Sequence, residues 1–318
     1  MELIVDCVLN PNLLSLQSNS PLSNLLAKGE VTQLDMPLEA VISEQFSLKL
    51  VQDYPIAAIS ALAEDINVGN SFWLRADPVH LLLQRDCFSL AGPVPLLVNE
   101  EHSLTIIASL NQHFNQVGLN FCIGKSGAWY LRCNEFVQIQ TTLPSVAMGK
   151  NVHHFMPQGI DATNWIALLN EVQMLLHQHP VNEEREANGQ IAVNSIWLSG
   201  GGINVISKPR KNDVDLIIAN NIFYQGLAKW SGLPYQSIPE NLNEVFLSNY
   251  DHVRLQFPEL DNLDDVWFCA LLSELKRKKI NKLILNLGLY ERSIKVEIEP
   301  LDCYKFWRTP KAVMHYLT

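Results

Sequence analysis

Apolar residues fall in short blocks along the chain, separated by Gly, Pro and Asn. Residues 3–9 are a brief apolar run ended by Asn10-Pro11-Asn12, the pattern of a buried strand entering a loop. Ser20-Pro21 opens a short helix with Leu22, Leu25 and Leu26 on one face, and Gly29 suits its stop. Helices are expected over 38–50 and 55–63, and a strand over 72–75 leading into Ala76-Asp77-Pro78-Val79-His80.

The texture changes near residue 99. A helix is expected over 100–117, then strands over 119–123 and 128–132 joined by a Gly124-Lys125-Ser126-Gly127 hairpin turn, with a third strand over 137–143. Pro and Gly recur over 144–159, the expected end of a small α+β insert. Residues 164–177 form an amphipathic helix, since Trp165, Leu168, Leu169, Val172, Leu175 and Leu176 keep helical spacing. Strands are then expected at 193–198, 213–219, 253–257, 282–287 and 293–298. Helices are expected at 222–230, closed by Gly232, and at 266–278. This alternation argues for an α/β fold with a largely parallel sheet covered on both faces. The expected division is 1–98 and 156–318 as two parts of one core, and 99–155 as the insert. There is no internal repeat and no low-complexity tract.

Composition narrows the class. The 318 residues are 47% hydrophobic and 18% charged, with mean hydropathy +0.04, and no uncharged apolar run is long enough for a membrane span. A formal charge of −10 lacks the basic footprint of a nucleic-acid binder. The run Lys276-Arg277-Lys278-Lys279 suits the negative end of a helix dipole. Six scattered cysteines form no C-x-x-C pair and read as free thiols. The first residues read as a strand and not as a signal peptide, so the expected compartment is the cytoplasm.

Candidate chemistry concentrates in two stretches. His177, His179, Asn182, Arg185 and Asn194 precede Gly200-Gly201-Gly202, which follows a strand as an anion-binding turn would. Arg185 offers a fork for phosphate or carboxylate. The competing reading makes the histidines helix caps and the asparagines backbone partners. The second stretch holds Arg75, Asp77 and His80; the alternative there is an Asp77 helix cap with Pro78 at the first helical position. His153-His154 point to opposite faces of an extended segment, so shared metal ligation is not expected. Asp261, Asp264 and Asp265 precede a helix, where carboxylates favour its dipole.

These residues carry a resemblance. His179-Pro180-Val181-Asn182, Arg185, Gly189 and Asn194, followed by Gly200 and Gly202, resemble the H-P-x-N-x-x-R…G…A-N…G-x-G signature of archaeal-type cofactor-independent phosphoglycerate mutases. Residues 214–219 and 226–232 look like that family's apolar strand and following K-G-I-x-x-x-x-G-M. Over 73–81 and 170–182 the chain is similar to bacterial regulatory proteins of the RpfE type, a similarity that extends over nearly the whole chain. The resemblance implies an alkaline-phosphatase-like sheet interrupted by an inserted domain. It also implies two metal ions on Asp and His ligands, and a serine that relays the phosphoryl group.

The residues depart from that implication. Asp6 resembles the first metal-binding Asp, with Cys7 where glycine is usual. The nucleophile segment falls on 54–65 and puts Tyr54 at the serine position. The D-x-x-G-H-D metal motif is absent; residues 260–265 come nearest and lack histidine. Phosphoryl transfer leans on metals and a nucleophile, so the expectation is a degenerate centre and no cofactor. The chain would bind a small anionic metabolite or a protein partner in a regulatory role. The alternative is a divergent enzyme in which Arg75, Asp77 and His80 approach His177, His179 and Arg185. A third reading has these side chains satisfy buried backbone.

Overall fold

The computed structural model describes residues 1–9, 20–85, 87–90, 92–203, 214–247, 249–257 and 264–317, except the side chains of Asp264 and Asp265. Two compact units emerge: Met1–Ser47 with Pro209–Thr318, and Leu48–Lys208. The strands in chain order are β1 (Glu2–Val8), β2 (Glu30–Leu34), β3 (Phe72–Val79), β4 (Leu81–Leu83), β5 (Phe88–Leu90), β6 (Leu119–Ile123) and β7 (Trp129–Cys133). They continue as β8 (Ser195–Ile203), β9 (Leu216–Ile218), β10 (Tyr235–Gln236), β11 (His252–Gln256), β12 (Lys282–Leu289) and β13 (Arg292–Ile298).

The first unit is α/β. Its seven-stranded sheet has the order β10-β9-β11-β1-β12-β13-β2, parallel from β10 to β12 and antiparallel on either side of β13. β1 and β12 carry apolar residues on both faces, Leu3 and Ile4 in one and Leu283 and Ile284 in the other, as strands covered on both sides do. Alternation divides their side chains. Leu3, Val5, Leu283, Leu285, Val253 and Leu255 join one core with Leu22, Leu25 and Leu26 of helix Pro21–Lys28 and Leu271 and Leu275 of helix Cys269–Lys276. Ser20 caps the first of these helices, accepting from the Ser23 N–H at 3.1 Å. Gly232, in the left-handed region at φ 70°, ends helix Ile222–Ser231 as expected. The basic run closes helix Cys269–Lys276, with Arg277 and Lys279 paired to buried Glu274 at 2.9 and 3.0 Å.

The second unit is α+β. Its antiparallel sheet has the order β6-β7-β3-β8, and β4 and β5 form a separate hairpin. Helices Glu100–Phe114 and Ala162–His177 bring Ile106, Leu110, Leu169 and Val172 to a core shared with Leu74, Leu131 and Leu198. Helix Ile56–Ala63 packs Ala57, Ala58 and Ala61 against Trp73 and Tyr130. The Gly124–Gly127 hairpin turn forms as expected, with the Gly127 N–H bonded to the Gly124 carbonyl at 2.9 Å.

Four expectations are corrected. The division is not 1–98, 99–155 and 156–318, because β3 pairs with both β7 and β8 and so ties residues 72–79 and 195–203 into the second unit. The third strand over 137–143 is absent; its backbone makes one isolated bridge, Gln140 to Gln158. Asp77 is no helix cap, since β3 runs straight through Asp77 and Pro78. Pro78 is tolerated because pairing with β7 stops at Arg75, so no strand there asks for the missing N–H, and its carbonyl accepts from the Leu96 N–H at 2.8 Å. Gly200-Gly201-Gly202 lie inside β8, not in a loop beyond it. The lack of side chains at Gly200 and Gly202 lets Ile56 and Pro55 approach, while Gly201 faces Leu74 and Phe72: a Cβ on Gly202 would meet the Pro55 Cβ at 2.7 Å and Cα at 2.8 Å. Gly202→Ala is therefore expected to cost about 1–3 kcal/mol by overpacking, read as a lower urea midpoint; an unchanged midpoint would contradict this packing.

Candidate functional site

Ligands of parallel sheets collect beyond the carboxyl ends of strands. In the first unit that end of β1 carries Asp6, which is fully buried. Asp6, Arg254 of β11 and Asn286 of β12 point to the face opposite the Leu3–Val5 core, by the same alternation. Arg254 grips the carboxylate with two hydrogen bonds, Nε to Oδ2 at 2.6 Å and Nη2 to Oδ1 at 2.9 Å. Asn286 donates Nδ2 to Oδ1 at 2.7 Å, and the Tyr224 hydroxyl donates to Oδ2 at 3.0 Å. The guanidinium lies 5.3 Å from the centre of the Phe46 ring. Burial, reinforced by the Asp6 carboxylate, holds the Tyr224 phenol well above its ordinary range, so it stays a donor. The same two causes push the Cys7 thiol up to about 12.

This centre does not fit divalent cations. A carboxylate has about four lone-pair positions, and four donors already fill those of Asp6. Among the described residues no group of three or more His, Cys, Asp or Glu could hold a metal. Asp261 and most of the 260–265 stretch lie outside the described residues. No step through a metal is derived.

Tyr54, at the position the resemblance gives to the serine, belongs to the second unit. Its neighbour Asp53 accepts from the Thr141 N–H at 2.8 Å and from the Thr141 hydroxyl. Burial raises the Asp53 carboxyl from 3.8 to about 6, against the lowering effect of those bonds and of the Gly201 backbone. A carboxyl raised on folding contributes stability below its unfolded pKa and loses it as pH rises through its folded one. Stability of the second unit should therefore fall between about pH 4 and pH 6, and Asp53→Asn should flatten that slope. Melting temperatures at pH 4.0–7.0 in both proteins check this; parallel curves would refute it.

The H-P-x-N-x-x-R residues form a second polar centre, and apart from the Ser109 hydroxyl their partners are backbone. His179 caps helix Pro180–Ala187, its Nδ1 accepting from the Val181 N–H at 3.3 Å while Nε2 contacts the Ser109 hydroxyl at 3.0 Å. Burial lowers the His179 pKa, which favours the neutral ring this cap requires. Asn182 donates to the carbonyls of Leu176 and Val193 and accepts from the Val193 N–H, all at 2.8 Å. Arg185 donates to the carbonyls of Ile191 at 2.9 Å and Leu97 at 3.2 Å. His80 meets the Ala192 carbonyl at 2.8 Å. The Asn194 amide exchanges two bonds with the Leu81 backbone, at 2.7 and 2.9 Å. His80, Asn182, Arg185 and Asn194 thus converge on residues 191–194, the segment that feeds β8. These bonds clamp that segment to the chain around it.

The remaining residues divide differently. Arg75 pairs with Asp77 two positions along β3 and stacks 5.1 Å from the Tyr130 ring. No hydrogen bond among the described residues joins that pair to His179 or Arg185. His177 is exposed at the end of its helix. His153 and His154 lie in a one-turn helix, Val152–Phe155, with ring centres 5.9 Å apart.

Sequence reasoning missed Arg254, Asn286 and Tyr224. A signal existed: an arginine inside the apolar strand His252–Gln256 and an asparagine inside Lys282–Leu289 demand buried partners. It did not identify which carboxylate would supply them.

Comparison with known proteins agrees with the fold. No protein-family model matches the chain. The 2,3-bisphosphoglycerate-independent phosphoglycerate mutase of Methanosarcina barkeri is 27% identical over 107 residues, 33% of this chain and 27% of that protein. A probable enzyme of the same description from Geobacter sulfurreducens is 36% identical over 59 residues, 19% of this chain and 15% of that one. The chain therefore matches less than a third of the length of either relative. Among solved structures, the PH0037 protein from Pyrococcus horikoshii superposes with TM-score 0.50 at 14% identity, covering 94% of this chain and 87% of that one. A cofactor-independent phosphoglycerate mutase from Thermoplasma acidophilum gives TM-score 0.43 at 14% identity, covering 94% and 89%. The mixed α/β fold with a mostly parallel sheet is shared; the sequence similarity to mutases is partial.

Proposed function

We propose that this chain is a non-catalytic binding protein on a phosphoglycerate-mutase-like fold, acting in a regulatory role. The observation that carries the reading is the Asp6 carboxylate, occupied by Arg254, Asn286 and Tyr224 where a metal-dependent centre would need it free. Phosphoryl transfer without metals lacks the charge that stabilises the moving group. The regulatory part rests on the resemblance of residues 73–81 and 170–182 to RpfE-type proteins. An anionic metabolite is less well supported as the ligand, because Arg75, Arg185 and Arg254 are each engaged inside the chain.

The test is a melting-temperature series with Mn²⁺, Mg²⁺ and Zn²⁺, alone and with 3-phosphoglycerate, beside an assay for conversion to 2-phosphoglycerate. Ligands that bind the folded state raise its stability. The expected result is no metal-dependent rise and no conversion. A rise that requires Mn²⁺, or turnover in its presence, would overturn the reading and restore an enzyme.

A further inference from the structure

The second unit contains a cavity of about 580 Å³ that none of the foregoing chemistry uses. It is bounded by the β4–β5 hairpin, the turn Val152–Phe155 with the residues after it, helix Ala162–His177 and β8. Leu169, Ile196 and Leu198 form a buried apolar floor. Phe88, Phe155 and Trp197 add aromatic surface. The Trp197 N–H is already bonded to the Thr142 carbonyl at 2.7 Å, so its ring contributes only apolar area. Around this floor sit Gln158, Asn170 and Gln173, whose side-chain amides have no hydrogen-bond partner among the described residues.

Charge decides what such a cavity takes. Among the described lining residues there is no Asp, Glu, Lys or Arg, and the titratable members are Cys87 and His153. Lys150 lies 5.4 Å from the Phe155 ring but outside the lining. A phosphate or carboxylate entering here would lose hydration without gaining a fixed cation. A neutral ring system would lose little, and amides offer it both donors and acceptors. The volume falls in the range of about 300–1,000 Å³ usual for small-molecule pockets, which are mostly apolar with a few polar groups. Ile166 and Phe88, at 36% and 43% exposure, are apolar side chains left partly open to solvent here. We infer that this cavity binds an uncharged, flat small molecule with an apolar body and a carbonyl, hydroxyl or amide edge. The inference deepens the binding-protein reading, on which it rests for its role.

The probe is Nile red, a neutral flat dye, titrated into the full chain. The expected result is a saturable rise in emission at one dye per chain. Bound dye should slow alkylation of Cys87, which lines the cavity, and leave exposed Cys269 of the first unit unchanged. Ile166→Trp, which fills the space from a partly exposed position, should weaken binding by about tenfold at an unaltered melting temperature. Gln173→Glu, which adds a charge, should weaken it as well and serves if the tryptophan variant does not fold. Emission that never saturates, unaltered affinity in both variants, or displacement by 3-phosphoglycerate would overturn the inference. Mn²⁺ uptake by the same preparation would sink the non-catalytic reading and leave this one standing. Failed dye binding without metal uptake would sink this one alone.

Discussion

Arg254→Met is expected to destabilise the first unit by about 3–5 kcal/mol, because it leaves the Asp6 carboxylate buried without its counter-charge. Asn286 and Tyr224 would remain as donors, but neither carries charge, and both residues of the ion pair are at most 1% exposed. Removing both partners is a different case. Asp6→Leu with Arg254→Met replaces the charged pair by apolar groups of similar size, an exchange that is often neutral or stabilising for the pair itself. The double variant should recover only part of the loss, because it also leaves the buried Asn286 amide and Tyr224 hydroxyl without their acceptor. Chemical denaturation of the wild type, both single variants and the double variant measures the coupling directly. A single variant within about 1 kcal/mol of wild type would show the pair to be solvated rather than buried.

Asn182→Ala ranks beside it. The substitution leaves the Val193 N–H and the Val193 carbonyl without their side-chain partner in a buried setting, while the Leu176 carbonyl keeps the His179 N–H at 3.2 Å. At about 1–1.5 kcal/mol for each abandoned group the total is about 2–3 kcal/mol. The loss should be the same with and without phosphorylated metabolites, since the amide faces backbone. Asn182→Asp keeps the acceptor and loses both donated bonds, so it should fall in the same range. A loss that 3-phosphoglycerate reverses would instead place a ligand at Asn182.

The two predictions mark where the sequence was read correctly and where it was not. Local signals named most elements. Ser20-Pro21 began a helix, Gly232 ended one, and the spacing of Trp165 to Leu176 described helix Ala162–His177 almost to the residue. Each rests on physics confined to one turn: a side-chain cap, a left-handed φ, a 3.6-residue period. Residues 137–143 misled because an apolar, β-branched run is necessary for a strand but does not supply a neighbour to pair with. Residues 193–198 read locally as a strand, which the alternation of elements places in a parallel core. Pairing with β3 puts them in the antiparallel sheet, and pairing is non-local.

The polar residues show the same limit. Asn182, Arg185 and Asn194 were legible as candidates from their density before a strand, and His80 from its spacing to Arg75 and Asp77. That they clamp residues 191–194 was not, since a hydrogen bond to backbone and one to a ligand require the same side chains. Asp6 was legible as a carboxylate at the end of β1. Its partner lies 248 positions away, and β11 comes beside β1 only when the sheet is assembled.

The sequence by itself determined the α/β class, most helices, the hairpin at Gly124–Gly127 and the absence of a serine at position 54, because composition and local stereochemistry are written in consecutive residues. The tertiary structure decided the division into two units, the placing of Gly200 and Gly202 against Ile56 and Pro55, the Asp6–Arg254 pair and the uncharged cavity. Each of those depends on which distant segments share a sheet, and burial then sets whether a polar group is a ligand, a clamp or half of an ion pair.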